Sequence, residues 1–182
     1  MINVISTLLD DVKIIEPIVY SDDRGFFYES FNQKVFNNAL GFEVKFVQDN
    51  HSKSTKGVLR GLHYQQKPYE QDKLVRVING LVYDVAVDLR PHSKQFGKWV
   101  GVYLSDQNKK QLFIPKGFAH GFLVLSESAE FLYKTSEYYE PKSEISIKWN
   151  DPLLNINWPD SQIITSEKDN AAISFNKFKE QI

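Results

Sequence analysis

Arg60 and His63 belong to one short apolar segment, which reads Gly57-Val58-Leu59-Arg60-Gly61-Leu62-His63-Tyr64-Gln65. A guanidinium beside an imidazole suits an anionic substrate that must gain or lose a proton near neutral pH. The leucines and the valine have the pattern of buried strand positions, so we predict that the strand presents Arg60 and His63 to a cavity. Lys73 follows His63 by ten residues and adds a second cation. From these residues alone, an exposed basic strand remains the alternative interpretation.

Composition limits the classes of protein to consider. A chain of 182 residues is predicted to form one domain, and its formal net charge of -1 provides no basic field for nucleic acid or an anionic membrane. The sequence has no cysteine, which excludes disulfides and thiolate metal ligands and is typical of a reducing compartment. Asp10 and Asp11 interrupt the first apolar stretch, so we expect neither a signal peptide nor a membrane span. We therefore expect a cytoplasmic protein without nucleic-acid or membrane partners.

Short strand-like segments dominate the chain. Runs of β-branched and aromatic residues recur between turn residues, which predicts an all-β sandwich or small barrel with few helices. One short helix is predicted, with Ser30 and Gln33 at capping-box spacing and Gly41 ending it. Residues 74–78 and 81–89 flank Asn79-Gly80, so we predict that they pair as a hairpin through a type I′ turn.

A proline–glycine turn delivers a second histidine in the segment Pro115-Lys116-Gly117-Phe118-Ala119-His120. Its spacing resembles the second motif of the cupin superfamily, whose fold is a double-stranded β-helix, or jelly roll. Metal-binding cupins carry a His-x-His pair and a glutamate in their first motif, where this chain reads His63-Tyr64-Gln65. A transition-metal site normally needs three or more protein ligands, and only His63 and His120 remain, so we expect no metal and no other cofactor.

Longer motifs resemble those of the dTDP-4-dehydrorhamnose 3,5-epimerase family, from about residue 14 to residue 172. They comprise residues 48–54, 57–65, 73–76, 84–88, 115–122, 131–134, 138–139, 149–152 and 166–169. The resemblance implies one cupin-type epimerase domain over residues 1–182, an all-β jelly roll with a few short peripheral helices. It also implies a metal-independent homodimeric isomerase that inverts carbons 3 and 5 of dTDP-4-dehydro-6-deoxy-D-glucose, a small-molecule nucleotide sugar.

The resemblance assigns catalytic roles to a small group of residues. His63 matches the general base and Asp169 the carboxylate that pairs with it, since a neutral imidazole accepts protons near pH 7. Lys73 matches the cation that stabilises the enolate oxygen, and Tyr133 matches the acid on the opposite face. Asp72, where the family usually has a glycine, is expected to temper the charge of Lys73. The plainer alternatives are a helix cap for Asp169, a solvated loop charge for Lys73 and a core aromatic for Tyr133.

Further matches fall where the family contacts the nucleotide or the sugar. They are Arg24, Phe26, Glu29, Gln48, Asp49, Asn50, Arg60, His120, Tyr138, Glu144 and Lys168. Arginine suits a pyrophosphate because its planar fork makes paired, charge-assisted hydrogen bonds. The resemblance implies that the N-terminal segment, about residues 1–30, contributes Arg24, Phe26 and Glu29 to the site of the partner subunit.

Two alternatives for the function stay open at this point. A single-carbon epimerase of a related nucleotide-linked 4-keto-6-deoxy sugar can keep the same base and acid, so the motifs separate it poorly. A non-catalytic sugar-binding cupin fits less well, because it has no use for a base, its carboxylate, a buried cation and an acid together.

Overall fold

The structure, a computed structural model, describes residues 2–160 and 162–182, which form two antiparallel sheets and a small hairpin. In pairing order, the first sheet contains Ile2–Ser6 (β1), Lys13–Pro17 (β2), Gln111–Ile114 (β10), Lys73–Asn79 (β7), Ser128–Thr135 (β12) and Gln48–Thr55 (β5). The second contains Glu144–Ser146 (β13), Leu59–Gln65 (β6), Phe118–Val124 (β11), Leu81–Asp88 (β8) and Trp99–Ser105 (β9). The hairpin pairs Tyr20–Asp22 (β3) with Gly25–Phe27 (β4). The α-helices are Gln33–Leu40 (α1), Glu167–Asn170 (α2) and Phe175–Lys179 (α3).

Apolar side chains from both sheets fill the space between them, which is why alternate strand positions are aliphatic or aromatic. The first sheet contributes residues such as Val75 and Phe131, and the second contributes Val82 and Phe122, all of them buried. The rings of Phe122 and Phe131 stack with centroids 4.1 Å apart. The predicted all-β jelly roll is therefore confirmed, with its main core between the sheets.

Each sheet is also covered on its outer face. On the second sheet Val85 packs beneath Phe178 of α3, and on the first sheet Phe113 meets Phe36 of α1. The C-terminal segment that covers the second sheet also carries Asp169, so its position matters for the chemistry of the site. None of the helices in the described ranges has the length and apolar character needed to cross a membrane.

The predicted short helix is confirmed as α1, but the predicted cap is wrong. Asn32 is the N-cap, and its side chain accepts a hydrogen bond from the backbone N–H of Val35 at 3.1 Å. Ser30 lies two residues earlier, and its carbonyl accepts a hydrogen bond from the Gln111 side chain at 2.7 Å. Gly41 ends the helix in the left-handed region, with φ 81°, as expected for a C-cap glycine.

Asn79 and Gly80 connect the two sheets, so the hairpin prediction is wrong. The strand before them, β7, pairs with β10 and β12, whereas the strand after them, β8, pairs with β11 and β9. Gly80 has φ 89°, but Asn79 does not share the positive φ that a type I′ turn requires. A Cβ at Gly80 would lie 2.2 Å from the carbonyl oxygen of Ser128, so glycine allows a close approach at this corner. Apolar residues alternate along both β7 and β8 because both strands face the shared core, whichever strands they pair with.

Candidate active site

A β-bulge places Arg60 and His63 on the same face of β6. Residues three apart in a regular strand point to opposite faces. Here His63 lies opposite His120 and Arg60 lies opposite Phe122, so β6 has one residue more than β11 between these pairs. Gly61 permits this, because it has φ 133° and a Cβ there would lie 2.5 Å from the backbone of β11. Directly paired residues share a face, so both side chains lie on the side of the sheet that carries His120 and Phe122, where His63 is half-buried and Arg60 is exposed.

His63 forms a dyad with Asp169, which lies 106 residues further along the chain. Nε2 of His63 is 2.6 Å from Oδ1 of Asp169, whose side chain is only 4% exposed. Ser166, the N-cap of α2, donates its hydroxyl to the other carboxylate oxygen at 2.9 Å. Burial alone would raise the pKa of Asp169, but the hydrogen bonds from His63 and Ser166 outweigh it and hold that pKa below its ordinary value. An ionised carboxylate only accepts hydrogen bonds, so Nε2 carries the proton and Nδ1 keeps the basic lone pair.

Lys73 is buried at the start of β7, where a charged amine is costly. Burial lowers its pKa to about 8, although the carboxylates of Glu144 and Asp84 act in the opposite direction. Asp84 is fully buried on β8, and its Oδ2 lies 3.0 Å from Nε2 of His120. Burial raises the pKa of Asp84, against the opposing effects of His120 and Lys73. Lys73 is therefore a buried cation beside a buried carboxylate, and the alternative of a solvated loop charge does not apply.

Tyr133 lies on β12, next to β7 in the first sheet, and is directly opposite Asn50 of β5. Burial raises the pKa of the phenol and the charge of Glu144 raises it further, while Arg60 and Lys168 act against the rise. The phenol is thus protonated at neutral pH and can donate. The side-chain Nδ2 of Asn50 is buried and has no hydrogen-bond partner in the described part of the chain. A buried donor without a partner costs free energy unless a ligand meets it.

Glu144 links the dyad to the surface of the molecule. Its Oε2 accepts hydrogen bonds from the hydroxyl of Tyr139 at 2.6 Å and from Nζ of Lys168 at 2.5 Å. Its Oε1 lies 3.9 Å from Nδ1 of His63, and its side chain is 9% exposed. Burial alone would raise the pKa of Glu144, but the hydrogen bonds from Lys168 and Tyr139 bring it below its ordinary value. An ionised carboxylate therefore stands next to the free nitrogen of the base.

Gln65 occupies the place of the second imidazole of metal-binding cupins and binds backbone groups. Its Nε2 donates to the carbonyls of Tyr69 at 2.6 Å and Tyr138 at 3.2 Å, and its Oε1 accepts from the N–H of Glu140 at 2.8 Å. The buried amide thus holds the loop that leads to Glu144. Within residues 2–160 and 162–182, no cluster of three or more His, Cys, Asp or Glu side chains is arranged to hold a metal ion.

Among the predicted binding residues outside the N-terminal segment, Asp49 and Tyr138 lie apart from the interior group. Gln48 and Asn50 face the interior and are bonded to each other at 2.9 Å, whereas strand alternation sends Asp49 to the outer face of β5. There Asp49 pairs with Lys134 at 2.8 Å. The side chain of Tyr138 is largely exposed, and this residue is tied to the site through its carbonyl.

The N-terminal residues of the predicted site make their described contacts outside the dyad. Arg24 and Phe26 belong to the β3–β4 hairpin, which pairs with no other described strand. The side chain of Arg24 is 90% exposed, and the ring of Phe26 contacts Lys109, whose Nζ lies 4.0 Å from the ring centroid. Glu29 accepts a hydrogen bond from the side chain of Asn32 at 3.0 Å. These residues are therefore displayed on the surface of a single chain.

Asp72 does not act on Lys73 as expected. Its carboxylate accepts hydrogen bonds from the backbone N–H of Lys116 at 3.0 Å and from the hydroxyl of Ser136 at 2.9 Å. Successive residues of extended chain point to opposite sides, so this carboxylate is directed away from the side chain of Lys73. The carboxylates that act on Lys73 come from β8 and β13 instead. Asp72 joins the start of β7 to the neighbouring turns.

Tyr139 and Ser166 shape the site but received no predicted role, although both lie within the family motifs. A signal exists for Ser166, because a serine three residues before Asp169 has the spacing of an N-cap. No local pattern marks Tyr139 as a partner of Glu144, since that contact depends on how the loop between β12 and β13 folds.

The described geometry places a base and an acid in one interior space, each from a different sheet. Nδ1 of His63 comes from the second sheet and the phenol of Tyr133 from the first, with the ammonium group of Lys73 buried in the same interior. Nε of Arg60 is 3.0 Å from Oγ of Ser54, and no described carboxylate lies within ion-pair distance of this guanidinium. Such a site can bind an anion, remove a proton from one face of a carbon and return a proton to the other.

Comparison with known proteins agrees with this chemistry. A sequence profile described as dTDP-4-dehydrorhamnose 3,5-epimerase matches residues 6–177. The chain is 64% identical over 168 residues to the dTDP-4-dehydrorhamnose 3,5-epimerase of Escherichia coli (strain K12), which covers 92% of this chain and 91% of that protein. The solved dTDP-6-deoxy-D-glucose-3,5-epimerase of Legionella pneumophila Philadelphia 1, in complex with dTDP-4-keto-L-rhamnose, has a TM-score of 0.96 at 55% identity, over 100% of this chain and 96% of that one.

A more distant solved structure shares the fold. ChmJ, a 3'-monoepimerase from Streptomyces bikiniensis in complex with dTDP-quinovose, has a TM-score of 0.91 at 31% identity, over 97% of this chain and 90% of that one. The profile match and the identity to the Escherichia coli protein both extend over nearly all of the sequence. The chain therefore belongs to the dTDP-4-dehydrorhamnose 3,5-epimerase family of isomerases.

Proposed function

We propose that this protein inverts carbons 3 and 5 of dTDP-4-dehydro-6-deoxy-D-glucose and so produces dTDP-4-dehydro-L-rhamnose, without a metal or other cofactor. The observation that carries the proposal is the dyad of His63 and Asp169 at 2.6 Å, with Tyr133 on the facing sheet and the cation of Lys73 buried in the same interior. Hydrogens on carbons beside a ketone can be removed by a modest base when the enolate charge is stabilised. The proposal places the enzyme in the cytoplasm, as the sequence leads us to expect.

Each inversion starts at Nδ1 of His63, which takes the proton from the carbon. Asp169 keeps Nε2 protonated and stabilises the imidazolium that forms. The ammonium group of Lys73 stabilises the negative charge that develops on the ketone oxygen. Tyr133 then gives its phenolic proton to the opposite face of the same carbon, and its raised pKa keeps that proton in place until it is needed.

Arg60 and Lys168 are the cations that we assign to the diphosphate. Support comes from Arg60, which has no acidic partner among the described residues, and from Lys168, whose side chain is 52% exposed at the entrance to the site. Gln48, Asn50 and His120 are the polar groups that we assign to the sugar and the nucleoside. The unpartnered Nδ2 of Asn50 supports this part, because a ligand acceptor would satisfy it.

We further propose a homodimer in which the β3–β4 hairpin reaches the site of the partner. Its support is the exposure of the hairpin, where the side chain of Arg24 is 90% exposed and Phe26 is 59% exposed. β1 and β2 pair within the sheet of their own chain, so the exchanged part is narrower than residues 1–30 and comprises about residues 20–29. Mixing two inactive variants, Arg24→Ala and His63→Ala, should restore activity, because one site of the mixed dimer keeps both residues. Mixtures that stay inactive although mixed dimers form would rule the exchange out.

Conversion in heavy water, followed by NMR, tests the function. Wild type should place deuterium at both carbon 3 and carbon 5, since each inversion replaces a substrate proton by one from solvent. In His63→Ala the rate of deuterium exchange at both carbons should fall by about 10²- to 10⁴-fold, the usual contribution of an acid–base group. Tyr133→Phe should still exchange, but it should return sugar that keeps its starting configuration or is inverted at one carbon only.

The same spectra separate the alternatives. A single-carbon epimerase would leave wild-type product with deuterium and inversion at one position only. A non-catalytic sugar-binding protein would give no exchange at all, while still binding thymidine diphosphate. Unchanged melting temperatures of the variants serve as the folding control.

A further inference from the structure

If one base performs both inversions, it must be deprotonated between them. After the first abstraction His63 holds the substrate proton on Nδ1, and it must lose that proton before it can act on the second carbon. Asp169 cannot remove it, because Asp169 is bonded to the other nitrogen, is buried, and has its remaining oxygen bonded to Ser166. The His63 side chain is 29% exposed, and a sugar bound against Nδ1 would cover part of that surface, so water alone is a poor acceptor during the reaction.

We propose that Glu144 discharges His63 between the two inversions by carrying its proton to the solvent. This inference rests on the proposed function, since only a two-carbon epimerase with one base needs such a step within one binding event. Glu144 is the carboxylate that faces the reacting nitrogen, with Oε1 at 3.9 Å from Nδ1 of His63. That gap is closed by a small rotation of the side chain or spanned by one water molecule.

The contacts of Glu144 define the way out. Its second oxygen is bonded to Tyr139 and Lys168, whose side chains reach the surface: Tyr139 is 51% exposed and the Lys168 side chain 52%. Gln65 holds the loop that carries these contacts through the backbone N–H of Glu140. One carboxylate thus lies between the half-buried base, 3.9 Å from its Nδ1, and solvent-exposed groups on the other side.

The proton transfers balance without any further reactant. The N–H bond at Nδ1 of His63 breaks and an O–H bond forms on Glu144, leaving a neutral imidazole and a neutral carboxylic acid. The acid then gives the same proton to water, and Glu144 returns to the carboxylate form. The phenolate of Tyr133, left by the first inversion, takes a proton from water, so both groups regain their starting forms. Transfer from an imidazolium to a carboxylate is uphill, so the carboxylic acid is a short-lived carrier. Glu144 acts through His63 and touches neither reacting carbon in this step.

Glu144→Gln removes the carrier while keeping the shape of the side chain. In heavy water we expect sugar inverted at one carbon to become the main product, with the second inversion slowed by about 10²-fold or more. Glu127→Gln, which changes an exposed glutamate, is the matched control and should give the wild-type product ratio. Binding of thymidine diphosphate, measured by calorimetry, separates this effect from a loss of affinity.

Chemical rescue gives a readout that a structural role would not move. Glu144→Ala leaves space beside Nδ1, so added formate should restore the doubly inverted product in proportion to its concentration. Glu144→Gln fills that space and should not respond to formate. The proposal is overturned if Glu144→Gln makes doubly inverted product with the wild-type ratio and kcat, or if the change is confined to KM and formate has no effect on Glu144→Ala. Wild type in the same assay reports the proposed function independently, because its own product must be inverted at both carbons.

Discussion

The buried ammonium group of Lys73 makes the basic side of the pH profile a direct test of the site. Burial lowers the pKa of Lys73 from 10.5 to about 8, a difference that corresponds to about 3 kcal/mol against the charged form. Because the proposed mechanism needs the charged form, kcat/KM should fall as the pH rises through about 8. At pH 9 only about one-tenth of the activity should remain, whereas a lysine of ordinary pKa would still be almost fully charged. Tyr133 cannot produce this decline, since burial raises its pKa above 10.0.

Two substitutions move the decline in opposite directions. Lys73→Arg keeps a charge that does not titrate in this range, so whatever activity remains should show no decline between pH 7 and pH 10. Asp84→Asn removes a buried negative charge that favours the ammonium form, so its decline should move to lower pH by on the order of one unit. The assay is the initial rate of deuterium incorporation at low substrate concentration, with melting temperatures as the folding control. A decline that stays near pH 8 in both variants would show that Lys73 is not the group responsible.

Three further outcomes follow from the site. Arg60→Ala should weaken the binding of thymidine diphosphate by roughly ten- to hundredfold in calorimetry, because a charge-assisted hydrogen bond is worth about 1.5–3 kcal/mol; unchanged affinity would contradict the assignment to the diphosphate. Asp169→Asn should lower kcat by about 10⁴-fold while leaving the fold intact, because an amide at this position can donate to Nε2 and reverse the tautomer of His63; a nearly active variant would mean that the dyad is not needed. Activity should survive exhaustive chelation, and a loss that one added metal ion restores would refute the metal-independent mechanism.

Local sequence patterns determined the secondary structure and the kinds of side chain at the site. Alternating apolar residues and turn residues predict most strands correctly, because burial on one face of a strand depends on near neighbours in the chain. The same holds for α1, whose end is predicted from a single glycine, although the cap depends on which of two nearby polar side chains is free to bond. The motifs around His63, Lys73, Tyr133 and Asp169 were sufficient to predict the family, because residue types and their spacing can be compared without any knowledge of packing.

Strand pairing was decided only by the tertiary structure. Asn79-Gly80 has the composition of a tight hairpin, yet β7 and β8 bond to strands of different sheets. Alternation reports that a strand faces a core, and it does not say which strand lies beside it. The bulge at Gly61 has the same origin, since it arises in the pairing of β6 with β11. Without that bulge, Arg60 and His63 would point to opposite faces and could not serve one substrate.

The chemistry of the individual groups also depends on contacts that are distant in sequence. Nδ1 of His63 is the basic nitrogen because Asp169, 106 residues away, takes the other one. The pKa of Lys73 falls to about 8 because the folded chain removes water from its amine while placing Asp84 and Glu144 nearby. Solvation and charge at a site are set by everything that packs around it, so a residue's type can be read from the chain, but its protonation state is decided by the fold.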